Sequence, residues 1–169
     1  MQHLDFALID PHIHQWDPYS TPHAAALAVK LLGKHPKLLD KMVRLVKPKD
    51  LIETIGLTRH ITRPYLPQDY KHDTGPYTIE QVVHVEASWH HSKGKGVVEE
   101  TQFIESLAFG ADTVKLGGIV ATADPRDRNF KKILKLHHKA SPHFRGIRKM
   151  ASFHEDKAIH AWTDEPHLY

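Results

Sequence analysis

The sequence predicts an α/β fold in which four parallel strands alternate with crossover helices. Four apolar runs, rich in valine, isoleucine, leucine and phenylalanine, begin near residues 6, 79, 114 and 143. Between the last three runs, apolar residues recur every three or four positions, which is typical of amphipathic helices. Strands that alternate with helices indicate βαβ units, and parallel strands buried on both faces have continuous apolar sequences of this kind.

The first strand is predicted over residues 6–14, FALIDPHIH, where an apolar run gives way to polar side chains. Pro11 has no N–H to donate, so we expect the hydrogen bonding of this strand to finish close to it.

A long segment, residues 17–76, separates the first strand from the second, and we interpret it as a helical and loop insertion. Thr21 and Pro22 indicate the cap and first turn of one helix, and Pro36 begins another. Three prolines and a Gly-Pro pair predict that residues 62–77 are mostly loop. The helix after Pro36 is amphipathic, with an apolar face formed by Leu39, Met42, Val43 and Val46.

The rest of the chain alternates regularly between strands and helices. Strands are predicted over residues 79–89, 112–124 and 143–153, and helices over residues 97–110 and 129–141. In the last helix, Phe130, Ile133, Leu134 and His137 share one face.

Composition narrows the classes of function. The chain has 169 residues, 40% of them hydrophobic, which is enough for one domain with a core. It has no cysteine, which excludes a disulfide framework, a thiolate zinc site and a cysteine nucleophile. With no apolar stretch long enough to span a bilayer and no basic leader followed by an apolar run, we expect a cytoplasmic protein.

Charge gives little support to a nucleic-acid or membrane partner, and we expect neither. Lysine and arginine number 23 against 20 acidic residues, for a net charge of +3. The lysines within residues 30–49 are those of an ordinary solvated helix face, without interleaved aromatic residues for base stacking. The chain also has no Gly-rich phosphate loop or dinucleotide fingerprint.

Two histidines at the end of the first strand are candidate metal ligands. Alternate residues of a strand point the same way, so His12 and His14 share a face with α-carbons about 6.6 Å apart. Two imidazoles at this spacing can converge on one ion with Zn–N bonds of about 2.1 Å. The carboxyl end of a parallel strand is also where the active sites of α/β proteins gather. The alternative is that both are incidental, because the chain contains 16 histidines.

Glu86 is a further candidate at the end of the second strand. It follows His84 by two residues, which places both side chains on one face of a regular strand. A buried carboxylate is costly unless it is paired, so Glu86 is interpreted as an additional metal ligand or as a group that orients a histidine. A solvated position at the strand end is the alternative.

Four stretches, in this order along the chain, resemble the amidohydrolase superfamily. They are LIDPHIHQWDP, YLPQDY, VVHVEASW and FRGIR. The similarity is to the amidohydrolase-related (amidohydrolase 2) branch, which includes sugar-lactone and pyrone dicarboxylate lactonases, and it extends over nearly the whole chain. Pro11 departs from the small residue that this branch usually has before its first histidine.

The resemblance implies a metal-dependent hydrolase of a lactone or a related cyclic ester or amide. It implies a mononuclear site, with zinc as the expected metal, at His12 and His14, to which Glu86 is added as a third ligand. Arg148 would bind the carboxylate of a small carboxylated lactone, and Arg145, of opposite strand parity, would face solvent or a helix. Some relatives use no metal, so a metal-independent lactonase stays open as the alternative.

The resemblance also implies the N-terminal half of a (β/α)8 TIM barrel, apparently truncated. Such barrels need about 250 residues, and only four strands are predicted here. The acid/base aspartate is therefore expected beyond residue 169, and the catalytic residue itself is not assigned. A further alternative is a non-catalytic half-barrel that needs a partner chain, and a homo-oligomer is an expectation of the same kind.

Overall fold

Four parallel strands form one sheet in the computed structural model, which describes residues 6–23, 26–47, 49–56, 58–90 and 94–166. Their order in the sheet is that of the sequence, and each adjacent pair is parallel. The prediction of an α/β fold with a four-stranded parallel sheet is thus confirmed. The strands are β1 (Leu8–Ile13), β2 (Ile79–Val85), β3 (Lys115–Thr122) and β4 (Phe144–Arg148).

Within the described ranges, six α-helices connect the strands. Four lie between β1 and β2, α5 lies between β2 and β3, and α6 lies between β3 and β4. They are α1 (Ala26–Leu32), α2 (Pro36–Val46), α3 (Lys49–Ile55), α4 (Pro67–Asp73), α5 (Glu99–Glu105) and α6 (Phe130–Ala140), with 3-10 turns at Thr58–Thr62 and Gly94–Val98. Among the described residues, no helix has both the length and the hydropathy needed to cross a bilayer.

A row of side chains across the sheet identifies the face that the helices cover. Ile13 pairs with His84, His84 with Ile119, and Ile119 with Phe144. Directly paired residues of parallel strands point to the same side. Ile119 and Phe144 pack against Ile104 of α5 in the core. This row therefore faces the helices, and the alternate residues face the opposite side.

Pro11 does not end the first strand, which corrects the sequence-based expectation. β1 continues to Ile13, which still pairs with β2. The pairing shifts register between Asp10 and Ile13. Such an irregularity lets the strand pass a residue that cannot donate to the ladder.

The segment between β1 and β2 differs from the prediction at two places. The first helix begins at Ala26, because the Thr21 hydroxyl bonds the Asp17 carbonyl and lies 2.6 Å from His23 Nδ1 instead of capping a helix. The predicted loop at residues 62–77 contains α4, in which Pro67 occupies the first turn. Proline is favoured at that position of a helix, so it begins the helix that it was expected to prevent.

The apolar face of α2 is only partly buried. Leu39 is buried, but Met42 is 46% exposed and Val46 is 73% exposed. The helix has the predicted bounds and the predicted amphipathic pattern, yet among the described residues its apolar face is not fully covered.

His137 joins α6 to the rest of the helical layer. Its ring is fully buried, Nδ1 lies 2.8 Å from the Thr101 hydroxyl, and Nε2 lies 3.2 Å from the Thr122 carbonyl. A carbonyl only accepts, so Nε2 carries the proton and Nδ1 accepts from Thr101. Burial lowers the pKa of His137, with the bond to Thr122 opposing that effect. The ring is therefore held in its neutral form.

We predict that the folded protein loses stability in acid in part through His137. Its folded pKa lies below the unfolded value of 6.5, so below that pH the unfolded chain binds more protons. The free energy of unfolding should fall as the pH drops through 6.5 toward the folded pKa. His137→Gln, which does not titrate, should show a shallower fall, measured by urea unfolding at a series of pH values. His138→Gln, at an exposed position on the same helix, is the control; equal slopes for wild type and His137→Gln would contradict the prediction.

Candidate functional site

The two histidines of β1 lie together on the face opposite to α5 and α6. Ile13, between them, belongs to the helix-facing row, so alternation places His12 and His14 on the other side. Their ring centroids are 4.9 Å apart, and the ring planes are nearly perpendicular. His12 is exposed, and His14, just beyond the strand, is half-buried. The two rings are therefore adjacent, as the spacing predicts, and their convergence on one ion stays a prediction.

A backbone carbonyl sets the orientation of the His14 ring. His14 Nδ1 lies 2.8 Å from the carbonyl oxygen of Val85, the last residue of β2. Nδ1 must donate to this oxygen, so in the neutral ring Nε2 has its lone pair free for a ligand. Burial lowers the pKa of His14, the bond to Val85 opposes this, and the nearby His84, Arg148 and His12 lower the pKa further. The arrangement favours the neutral, ligand-competent ring.

Asp10 fixes the backbone that carries His12. One carboxylate oxygen accepts from the backbone N–H of His12 at 3.0 Å, and the other accepts from the Tyr70 hydroxyl at 2.8 Å. Burial and then this bond to Asp10 raise the pKa of Tyr70, which keeps its hydroxyl protonated as the donor. Through Tyr70, helix α4 thereby helps to fix the backbone at the carboxyl end of β1.

An ion pair between Glu86 and Arg148 lies beside the histidines. Arg148 Nε is 2.8 Å and Nη2 is 2.6 Å from Glu86 Oε1, and Nη2 also donates to the Glu86 carbonyl at 2.7 Å. The other carboxylate oxygen accepts from the Ser88 N–H at 3.1 Å. Both oxygens of Glu86 are thus engaged by other residues of the protein.

An irregularity in β4 places Arg148 on the same face as the histidines. Ile119 pairs with Phe144, but the next residue, Val120, pairs with Gly146, so the strand gains a residue at Arg145. Thr122 then pairs with Arg148. Because Phe144 faces the helices, the shift is what places Arg148 on the site side. Arg145 is exposed and bonds the carbonyls of Pro142 and Phe144.

His84 and Glu86 do not act on one face, contrary to the sequence-based expectation. His84 belongs to the helix-facing row, and its Nε2 lies 3.3 Å from Glu100 of α5. Glu86 follows the last residue of β2. Its N–H still bonds the Val120 carbonyl at 2.8 Å, and Ser88, two residues later, adopts a positive φ of 58°. The Glu86 carboxylate bonds Arg148, which lies on the opposite face of the sheet from His84.

The sequence reasoning did not single out Asp10, Tyr70 and Glu100. Asp10 and Tyr70 both lie in stretches that resemble the amidohydrolase superfamily, and this resemblance could have identified them. Glu100 is four residues before Ile104, so the two lie on one face of α5. A charged residue on the apolar face of a helix is a sign, readable from the sequence, that a carboxylate is buried. Its 2% exposure shows that the charge is indeed buried.

The described residues supply two imidazoles but not a complete metal site. No group of three or more histidine, cysteine, aspartate or glutamate side chains within the described ranges is arranged to hold a metal ion. Zinc in catalytic sites normally has three protein ligands. Ligand roles for His12 and His14 stay predictions. A ligand role for Glu86 also stays a prediction, and it requires Glu86 to leave Arg148 or Ser88.

We predict that the neutral ring of His14 is protonated on Nδ1. The bond to Val85 requires this tautomer, whereas an unconstrained imidazole in water prefers a proton on Nε2. Long-range ¹H–¹⁵N correlation spectra of the protein at about pH 8, where imidazoles are neutral, should show a protonated Nδ1 and an unprotonated Nε2 for His14. Exposed His154 is the internal reference, and the Nε2–H form at His14 would contradict the assignment.

Comparisons with known proteins give one distant relative. The chain is 29% identical over 167 residues to the uncharacterized protein y4mH of Sinorhizobium fredii (strain NBRC 101917 / NGR234). The match covers 97% of this chain and 46% of that protein, so the chain spans less than half of the relative's length. No family model matches the chain, and no solved structure matches it.

Proposed function

We propose that the protein is a hydrolase of the amidohydrolase superfamily that acts on a lactone or a related cyclic ester or amide. The observation that carries this proposal is the pair of imidazoles, with ring centroids 4.9 Å apart, at the carboxyl end of β1. The fixed Nδ1–H of His14 and the adjacent Arg148 support it. The four sequence stretches that resemble the superfamily supply the reaction class.

In this proposal the four strands are the N-terminal half of a (β/α)8 barrel. Their sequential parallel order, with helices on one face and the histidines on the other, agrees with such a half. The 46% coverage of the relative y4mH agrees with a longer natural protein. The acid/base aspartate and the missing ligands would then belong to the other half.

A zinc ion at His12 and His14 would lower the pKa of a bound water and polarise the substrate carbonyl. The protein's own residues would prepare the site. His14 presents Nε2 because Val85 holds Nδ1, and Asp10 holds the backbone of His12. Neutral imidazoles are the form that binds a metal, and burial favours that form at His14.

Arg148 would bind a carboxylate of the substrate in the same proposal. Its named hydrogen bonds use Nε and Nη2, so Nη1 is the point of approach for a ligand. Glu86 would position the guanidinium, so that its remaining N–H groups point toward the substrate carboxylate. A small carboxylated lactone has both the group that Arg148 would bind and the ester that the histidines would face.

A metal-independent lactonase is the second candidate. The observation that favours it is the engagement of both Glu86 oxygens, which leaves two metal-binding side chains in place among the described residues. His12 and His14 would then contact the substrate directly. A half-barrel that needs a partner chain is favoured by the sheet edges, because in the described chain β1 and β4 each pair on one side only.

We predict that the full-length protein binds about one zinc ion per chain and that the double variant His12→Ala/His14→Ala binds none. Structural zinc ligands contribute most of the affinity, so removal of both should abolish binding and hydrolysis together. Metal content by mass spectrometry and a lactone panel measure the two effects. The control is His72→Ala/His154→Ala, at two exposed positions. Undiminished zinc in the His12/His14 variant would favour the metal-independent candidate.

We predict that Arg148→Lys raises KM for carboxylated lactones by about 10- to 100-fold, the range expected for a lost charged hydrogen bond, and changes KM for neutral lactones far less. One ammonium group cannot bond Glu86 at two points and also bind a substrate carboxylate. Steady-state kinetics on matched lactones measure the difference. Arg145→Lys should affect neither substrate, and an equal effect of Arg148→Lys on both would remove the proposed role.

A further inference from the structure

A buried carboxylate lies behind the candidate site, on the side of the sheet that the helices cover. Glu100, on α5, is 2% exposed. Its Oε1 accepts from the backbone N–H of Ala87 at 2.6 Å and lies 3.3 Å from His84 Nε2. Glu99 of the same helix accepts from the Trp89 indole N–H at 3.2 Å, farther along the chain after β2, so Glu100 is the α5 residue that bonds next to Glu86.

His84 extends the connection to the first strand. Its Nδ1 accepts from the backbone N–H of Gln15 at 3.2 Å, so Nε2 carries the proton and donates to Glu100. The His84 side chain is fully buried, and both of its ring nitrogens are used. A continuous chain of hydrogen bonds therefore runs from Glu100 through His84 to Gln15.

Both ends of this chain adjoin the candidate site. Gln15 follows His14, and Ala87 follows Glu86. Both N–H groups lie beyond the strand ends, at Ile13 and Val85, so the sheet ladder does not hold them. A single carboxylate oxygen thus fixes the backbone next to the histidine pair and next to the carboxylate that binds Arg148.

We propose that Glu100 is a positioning residue for the candidate site. It fixes the backbone that follows β1 through His84, and it fixes the backbone that follows β2 directly. The inference deepens the proposed function and rests on it for the role of the histidines. Without Glu100, the half-buried Ala87 N–H and the buried His84 Nε2–H would lose their acceptor. A buried donor without a partner is costly, so the backbone after β1 and after β2 would shift to find other partners. His14 and Glu86 would then lose their relative positions.

Another glutamate on the same helix provides a matched control. Glu105 Oε2 accepts from the Ser141 hydroxyl at 2.5 Å and from His143 Nδ1 at 3.0 Å. These partners precede β4, so Glu105 supports the amino-terminal side of the sheet, away from the site. Loss of either glutamate removes two hydrogen bonds of α5, but only loss of Glu100 should alter the site.

The second oxygen of Glu100 makes a conservative variant informative. Glu100 Oε2 is buried and has no hydrogen-bond partner among the described residues. Glu100→Gln keeps the amide oxygen as the acceptor for Ala87 and His84. It places the amide nitrogen where no acceptor lies among the described residues, so it should lower the melting temperature while it preserves the bonds to the site. Glu100→Asp keeps the charge but is shorter by one methylene, so it cannot reach both donors.

The experiment compares Glu100→Ala, Glu100→Gln, Glu100→Asp and Glu105→Ala in the full-length protein. One measurement is the affinity for Zn²⁺ alone by titration calorimetry, and the other is the tautomer of His14 by ¹⁵N spectroscopy without metal. Glu100→Ala should weaken zinc binding by about 10- to 100-fold, the usual effect of a lost supporting residue, and should mix the His14 tautomers. Glu100→Gln should restore both readouts, and Glu105→Ala should lower the melting temperature with neither readout changed.

The possible failures are distinguishable. If wild type binds no zinc, the metal-dependent form of the proposed function fails, and the tautomer still tests Glu100. If Glu100→Ala does not fold, Glu100→Asp provides the same test with the charge retained. Wild-type zinc affinity and a wild-type His14 tautomer in folded Glu100→Ala or Glu100→Asp would overturn the inference. Equal effects of Glu100→Ala and Glu105→Ala on the two readouts would overturn it as well.

Discussion

Hydrogen bonding beyond the strand ends is the constraint on which the candidate site depends. A parallel ladder satisfies backbone groups only within the paired strands, and the described polar side chains gather where the ladder stops. Asp10, His84 and Glu100 accept the N–H groups of His12, Gln15 and Ala87. Since buried donors must find acceptors, these bonds determine where the chain goes after β1 and β2.

The same constraint assigns opposite roles to neighbouring histidines. His84 faces the helices, is fully buried and has both ring nitrogens bonded within the protein. His14 faces the other side and bonds the protein through Nδ1 only. His84 therefore bonds the protein through both ring nitrogens and His14 through Nδ1 only, although the two lie at the ends of adjacent strands.

Electrostatic balance across the site depends on the pair formed by Glu86 and Arg148. Glu86 is 7% exposed, and a buried carboxylate without a cation would carry a large desolvation cost. Arg148 provides the cation and, through its two nitrogens, fixes the direction of the carboxylate. Its positive charge also contributes to the lowered pKa of His14, which disfavours protonation of the ring. Within the ion pair, the charge of Arg148 is thus what acts on His14.

The sequence by itself determined the α/β class, the order of the strands and where each begins to within three residues, and the shared side of His12 and His14. The predicted second and fourth strands were too long, since β2 ends at Val85 and β4 at Arg148. The features that the sequence determined depend on the periodicity of apolar residues and on strand alternation, which are local properties of the chain. α2 and α6 have the periodicity predicted for them for the same reason. The burial of His137 on the predicted face of α6 also followed from that periodicity.

Only the tertiary structure decided the features that depend on contacts distant in sequence or on departures from regular pairing. The register shift in β1 carried the strand past Pro11, and the extra residue in β4 set the direction of Arg148. The bond to Arg148 held the Glu86 carboxylate on the face opposite to His84, and α4 formed where prolines had indicated a loop. Glu100 lies 13 residues from Ala87 and 85 from Gln15 along the chain, so its role appears only when α5 packs on the sheet. A local pattern predicts the direction of a side chain as long as the ladder is regular, and the candidate site lies where the ladder ends.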